Sequence, residues 1–224
     1  MVSVYRVGNQ KKSNFWNKFS VNTNIIILNL IAFVLVGILL GTKTFSQDFF
    51  MNNISISLEN IQQLRLWTFF TSMFMHAGFF HLFANMFSLF FIGGLVQKIL
   101  GGKRFLWFYM VAGLFASLLY IVVELFSPSG LGAVGASGAL FGLVGFLVII
   151  TPNLPVYVML IPIPIKMKYA GPGILILLWF ISRAGNIPIG NSAHFGGLIV
   201  GVVYGFYLRN KYKNKTRMIS KRFS

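Results

Sequence analysis

The sequence predicts an all-α membrane protein: six transmembrane helices in one bundle, with both termini on the cytoplasmic side. Three observations carry this prediction. First, 56% of the residues are hydrophobic and only 10% are charged, against roughly 25% charged in an average soluble domain, and the mean hydropathy is +0.77. Second, several apolar runs approach the ~20 residues that a helix needs to cross a bilayer. Third, when six spans are drawn, the basic residues sort to one side of them, as cytoplasmic loops require.

The spans fall at about Asn24 to Leu40, Phe79 to Ile99, Arg104 to Phe126, Gly135 to Ile150, Tyr169 to Ser182 and Ser192 to Tyr207. The fourth and fifth are short for a bilayer. The first ends at Leu40-Gly41-Thr42-Lys43 without an A-x-A-like site and reads as a retained span, not a cleaved signal peptide. Pro152, Pro155, Pro162 and Pro164 interrupt the run between spans 4 and 5, making it a connection and not a further span. The outer segment from about Gly41 to Gly78 holds Phe49, Phe50, Met51, Trp67, Phe69, Phe70, Met73 and Phe74. Aromatic rings prefer the membrane interface, so this loop is expected to lie partly within it.

An even number of spans leaves both termini on one side. Sixteen of the nineteen Lys and Arg residues then share that side. They lie in the N-terminal arm (Arg6, Lys11, Lys12, Lys18), in two loops (Lys98, Lys103, Arg104; Lys166, Lys168) and in the tail from Arg209 onward. Lys43, Arg65 and Arg183 fall on the other side, together with all three acids, Asp48, Glu59 and Glu124. The net charge of +16 therefore follows membrane sidedness. It does not form a basic face interleaved with aromatics on a soluble fold, and nucleic acid is not an expected partner. With no cysteine, disulfides, thiol chemistry and cysteine-bound zinc are excluded. The division expected is an N-terminal arm over 1–23, a membrane domain over 24–208 and a basic tail over 209–224, the tail disordered and drawn to anionic headgroups.

Polar groups at membrane depth are costly, which makes each a functional candidate. The three histidines, His76, His81 and His194, lie near the outer ends of spans 2 and 6, and Ser137 lies at the outer end of span 4. Span 6 carries Ala193, Gly197, Gly201 and Gly205 at intervals of four, and span 4 carries Gly138, Gly142 and Gly145. Such small-residue faces let membrane helices approach closely, and packing alone would account for either stripe. If the two stripes face each other, however, the Ser137 hydroxyl comes within reach of the His194 imidazole, and a serine so paired is an activated nucleophile. His81 and Asn85, four apart, share a helix face. They read either as polar glue between helices or as donors for a developing oxyanion.

At this point the residues resemble a known family, the rhomboid intramembrane serine proteases. "GASG" at Gly135 to Gly138 is similar to the family's G-x-S-G, "AHFGGLIVG" at Ala193 to Gly201 to its A-H-x-x-G-x-x-x-G, and "HAGFFHLFANM" at His76 to Met86 to its H-x4-H-x3-N-M. The resemblance covers roughly Trp67 to Tyr207. It implies a six-helix rhomboid-like protease domain in the cell membrane, with Ser137 as nucleophile and His194 as general base. His81 and Asn85, with the Ser137 amide, would serve the oxyanion. His76, Gly135, Gly138 and Phe141 would line the site, while Gly142, Gly197 and Gly201 would pack its helices. The substrates implied are transmembrane proteins in the lipid bilayer, and no cofactor or metal is implied.

The chain departs from the family pattern at three places. Trp67 is followed by Thr68 where many members carry Arg, with Arg65 two positions earlier; Gln97 replaces an acid; and Phe141 stands where some members carry Tyr. No carboxylate completes a triad, Glu124 being the least remote candidate, so packing against Phe141 is expected to orient His194. The principal alternative is a rhomboid-like protein that binds membrane clients without cutting them, but such members lack the dyad. A transporter would carry an acid or broken helix at the midplane. A metal hydrolase on the three histidines lacks an H-E-x-x-H signature.

Overall fold

The computed structural model describes residues 19–158, 161–185 and 187–223. The N-terminal arm expected over 1–23 lies almost wholly outside them, with Arg6, Lys11, Lys12 and Lys18. The chain is mostly helical. Val21–Gly41 (α1), Phe79–Leu100 and Gly102–Phe126 (α7) are each long and apolar enough to cross a membrane, and Ser137–Ile150 (α8) is a shorter apolar helix. Phe79–Leu100 comprises α5 (Phe79–Ser88), a π-helical turn (Leu89–Gly93) and α6 (Gly94–Leu100). Met167–Ala184 (α9) carries Lys168, Pro172 and Arg183, and Asn191–Lys211 (α10) is rich in glycine.

The helix ends differ from those expected, each for a local reason. α1 starts at Val21 because the Ser20 hydroxyl caps it, accepting from the Thr23 N–H at 3.1 Å. α8 starts at Ser137, not Gly135, because Gly135 has φ +132°, outside the helical region. The connection after α8 holds a two-residue antiparallel ladder, Pro155–Val156 (β1) with Ile165–Lys166 (β2), a small departure from an all-α chain. The tail expected to be disordered instead forms a helix, Lys213–Arg222 (α11).

The long loop over 41–78 is built, not loose. It folds into α2 (Gln47–Asn53), α3 (Leu58–Gln62), α4 (Thr68–Thr71) and a 3-10 turn (Ser72–Phe74). Ser46 and Ser57 cap α2 and α3. Phe50, Met73 and Phe74 are buried within the protein, whereas Phe49, Met51, Trp67 and Phe70 are exposed. Only this exposed set is free to meet the interface. The Arg65 guanidinium donates to Asn52 O at 2.5 Å and to Asn60 Oδ1 at 2.9 Å, and Trp67 Nε1 donates to Asn53 O at 2.8 Å. Arg65 thus binds the loop together, and Thr68, fully buried, turns its hydroxyl to the Arg65 carbonyl at 2.7 Å.

α8 is the centre of the fold. Leu143, Phe146 and Leu147 are fully buried, with α7 and α10 packed against the helix through small residues. α10 lies against it along the glycine stripes: a Cβ on Gly197 would collide with the Gly138 carbonyl, and one on Gly201 with the Gly142 carbonyl. α7 approaches on another side through small residues that the sequence reading did not single out. A Cβ on Gly138 would lie 2.6 Å from Ala116 Cβ, and one on Gly142 2.5 Å from Ala112 Cβ. These pairings run α8 parallel to α10 and antiparallel to α7.

α1 is tied to the α5–α6 segment by one asparagine. Asn22 Nδ2 donates to Leu89 O at 2.9 Å, at the start of the π turn, and the Asn22 backbone N–H donates to Gln97 Oε1 at 2.6 Å. The first N–H groups of a helix lack intrahelical partners, so Gln97 supplies an acceptor as a carboxylate would. Gly93 is required beside it, because a Cβ there would strike Asn22 Oδ1.

Two outcomes follow for stability, both read by thermal unfolding in detergent. Gly201→Ala is expected to destabilise by about 1–3 kcal/mol through overpacking, while Gly37→Ala, whose Cβ meets nothing within 4 Å, should leave Tm unchanged or slightly raised. Equal melting for the two variants would remove the close-approach account. Gln97→Leu should cost about 1–3 kcal/mol by stranding the Asn22 N–H, and Gln97→Glu should restore most of that loss.

Candidate active site

Ser137 and His194 come from elements whose proximity the glycine contacts dictate. Ser137 opens α8, and His194 lies in the first turn and a half of α10. Where Gly197 rides on the Gly138 carbonyl, His194, one turn earlier on α10, faces Ser137, the residue just before Gly138. Ser137 Oγ and His194 Nε2 are 2.8 Å apart. Ser137 is half-buried and His194 buried. The His194 ring stacks on Phe141, with centroids 4.6 Å apart and planes 22° from parallel. Phe141 lies one turn along α8 from Ser137, so a single helix presents both the hydroxyl and the platform.

His194 Nδ1 has no hydrogen-bond partner among the described residues. Glu124, the acid closest to a triad role in the sequence reading, is engaged elsewhere. Its carboxylate accepts from the Ser129 backbone N–H at 2.9 Å and the Ser129 hydroxyl at 2.7 Å, which fastens the turn after α7. It is a loop anchor, and the imidazole is held by stacking.

The loop entering α8 is pinned at several points that no sequence motif announces. Gly135 N–H donates to Ser72 O at 2.8 Å, Ile56 and Ala133 exchange both backbone hydrogen bonds, and the Tyr120 hydroxyl donates to Leu131 O at 2.7 Å. Gly135 is the tight point. Its φ of +132° suits glycine alone, and a Cβ there would sit 2.8 Å from His81 Nε2 and 3.6 Å from Ser137 Oγ. The same contact places the His81 ring edge beside the backbone leading to Ser137.

His81 Nδ1 accepts from the Ala77 N–H at 3.4 Å. With Nδ1 as acceptor, the proton of a neutral ring resides on Nε2, the nitrogen that faces Gly135. Asn85 is buried, and its Nδ2 donates to the His81 carbonyl at 2.9 Å, which uses one of its two N–H bonds. His76 precedes α5 instead of lying on it. Its ring meets that of His81 edge-on at 5.1 Å, and neither of its nitrogens has a partner among the described residues. Helical angles therefore do not describe the His76–His81 pair, which a turn brings together.

The structure thus gathers Ser137, His194, Phe141, Gly135 and His81 at one place, with His76 against His81 and Asn85 one turn further along α5. Ser72 and Ala77, whose backbone groups fix Gly135 and His81, carry no sequence signal. Chemically, the arrangement offers a hydroxyl on an imidazole nitrogen, with a second imidazole N–H close by.

Comparison with known proteins identifies the family. The profile of the rhomboid domain matches residues 63–211. "RHOMBOID-like protein 12, mitochondrial" of Arabidopsis thaliana is 32% identical over 75% of this chain and 54% of its own length. "Rhomboid protease GluP" of Bacillus subtilis (strain 168) is 34% identical over 63% of this chain and 26% of its own. "Rhomboid protease GlpG" of Haemophilus influenzae (strain ATCC 51907 / DSM 11121 / KW20 / Rd) is 29% identical over 68% of this chain and 75% of its own. The chain spans about half the length of the first of these relatives. The match covers every element that carries the clustered residues, from α5 to α10: the chain is a membrane protein of the rhomboid family.

Proposed function

We propose that the protein is an intramembrane serine endopeptidase that hydrolyses peptide bonds in or near transmembrane segments of other membrane proteins. The observation that carries the reading is the 2.8 Å contact between Ser137 Oγ and His194 Nε2. His194 takes the hydroxyl proton and Ser137 attacks the scissile carbonyl. The His81 Nε2–H, the free N–H of Asn85 and the Ser137 amide stabilise the oxyanion, and the acyl-enzyme is released by water. The dyad works without a carboxylate: Phe141 fixes the ring plane, and burial keeps the imidazole in one orientation. His76, Gly135 and Gly138 line the site, and Gly142, Gly197 and Gly201 hold its helices together.

The topology proposed is six spans over 24–208 in the cell membrane, with the arm over 1–23 and the tail over 209–224 both cytoplasmic. The sidedness of the basic residues supports it. α9 and the following residues to Asn191 form the side through which a substrate helix reaches the serine. α9 is buried only at Met167, Ala170 and Gly171, and Ile176, Leu177, Trp179 and Phe180 beyond them are exposed.

Purified protein with a model transmembrane substrate tests the reading. Ser137→Ala and His194→Ala should each abolish cleavage and fluorophosphonate labelling, because the pair acts as one unit. Cleavage that survives in Ser137→Ala would sink the mechanism, and substrate that co-purifies uncut with the wild type would mark a client-binding protein. Asn85→Ala should lower kcat by roughly 10²–10³ at most. Glu124→Gln should cost about 1–3 kcal/mol of stability and leave kcat unchanged; a loss of kcat would restore Glu124 to the chemistry.

A further inference from the structure

We infer that α11, together with the loop ends beside it, is a docking surface for anionic phospholipid headgroups, and that the helix lies on the membrane surface as a folded element, not as a tether. The first observation is the shape of the helix. Thr216 is buried, and Ile219, Ser220 and Phe223 are half-buried. These positions recur at the three- and four-residue spacing of one helical face. Ile219 packs against the main core, so that face is seated on the protein. The other face carries Lys213, Lys215, Arg217, Lys221 and Arg222, all exposed, with Met218 72% exposed among them.

The second observation is the absence of internal counter-charge. The helix pairings bring the α6–α7 turn, the β1–β2 connection and the end of α10 to the same end of the bundle. Lys98, Lys103, Arg104, Lys166, Lys168, Arg209 and Lys211 are exposed there. The chain's three acids, Asp48, Glu59 and Glu124, all belong to segments at the opposite end. A dozen exposed cations gathered at one end without a side-chain carboxylate repel one another, and an anionic surface there would offset that repulsion. Lys211 Nζ donates to the Tyr207 hydroxyl at 2.8 Å and lies 5.8 Å from the centre of the Tyr212 ring. The cation is therefore held at the joint between α10 and α11.

The third observation selects a lipid surface over a soluble polyanion. Exposed apolar and aromatic residues share this end with the cations: Tyr157, Ile163 and Tyr169 beside the β1–β2 connection, and Met218 on α11. Basic side chains around an exposed apolar one suit the headgroup boundary, and tyrosine prefers that depth. Anionic leaflets attract such basic segments over a Debye length.

The chain has no cysteine, so Met218→Cys provides a single site for a nitroxide label on the full protein. Reconstituted in discs of phosphatidylcholine alone, the label should be accessible to a water-soluble relaxing agent. In discs that also contain phosphatidylglycerol it should move into the headgroup phase. Raising salt to 1 M, where the Debye length falls to about 3 Å, should reverse the shift. Replacing Arg217, Lys221 and Arg222 by Gln should weaken the preference for anionic lipid roughly 100-fold. If the triple variant disturbs α11, the salt titration on the native charges decides. A label equally accessible in both lipids, or one that responds to single-stranded RNA and not to lipid charge, would overturn the proposal.

Discussion

The structure depends on one constraint: α8 and α10 approach until backbone touches backbone. The Gly197 and Gly201 positions stand over the carbonyls of Gly138 and Gly142 with no room for a methyl group. In a membrane, helices gain little from burying apolar side chains against each other, since lipid tails are equally apolar, and close van der Waals contact takes over. The tight seam also sets the relative height and rotation of the two helices. Once those are fixed, Ser137 and His194 have no freedom to be elsewhere, and the 2.8 Å contact between them is a consequence of the packing beside it.

Around that seam, the polar groups outside the pair are assigned mostly to architecture. Glu124 holds Ser129, Arg65 holds the α2–α3 loop, Asn22 holds the π turn, and Gln97 caps α1. Buried polar atoms without partners are costly in a low dielectric, and these pairings show where the fold avoids that cost. Exceptions among the described residues occur at the site, where both His76 nitrogens and His194 Nδ1 are unpartnered, and away from it, at Asn22 Oδ1, Asn29 Oδ1 and the Tyr109 hydroxyl.

Much of this was legible from residue spacing. The four-residue stripes named the α8–α10 seam, and the positions of Ser137 and His194 above it announced the pair. The stacking of Phe141 was an expectation of the family resemblance, which places an aromatic ring four residues after the serine. The α7 side of the seam was missed because alanines at 112 and 116 in an apolar run look like ordinary filler. The tail was misread for a different reason. Its composition is that of a solvated segment, and only the recurrence of Thr216, Ile219, Ser220 and Phe223, with a surface on which to seat them, makes it a helix.

The sequence by itself determined the membrane class, the sidedness of charge and the residues able to do chemistry, because hydropathy, charge and side-chain functional groups are properties of the chain. It also determined which helices can meet closely, since only glycine and its small neighbours permit that approach. Tertiary structure alone decided that His76 sits before α5 and against His81, that Glu124 is spent on a loop, and that His81 turns Nε2 toward Gly135. Two of these are settled by backbone groups, the Ala77 N–H that meets His81 Nδ1 and the Ser129 N–H that meets the Glu124 carboxylate. Every residue carries the same backbone donor and acceptor, so the letter at a position does not record where they point.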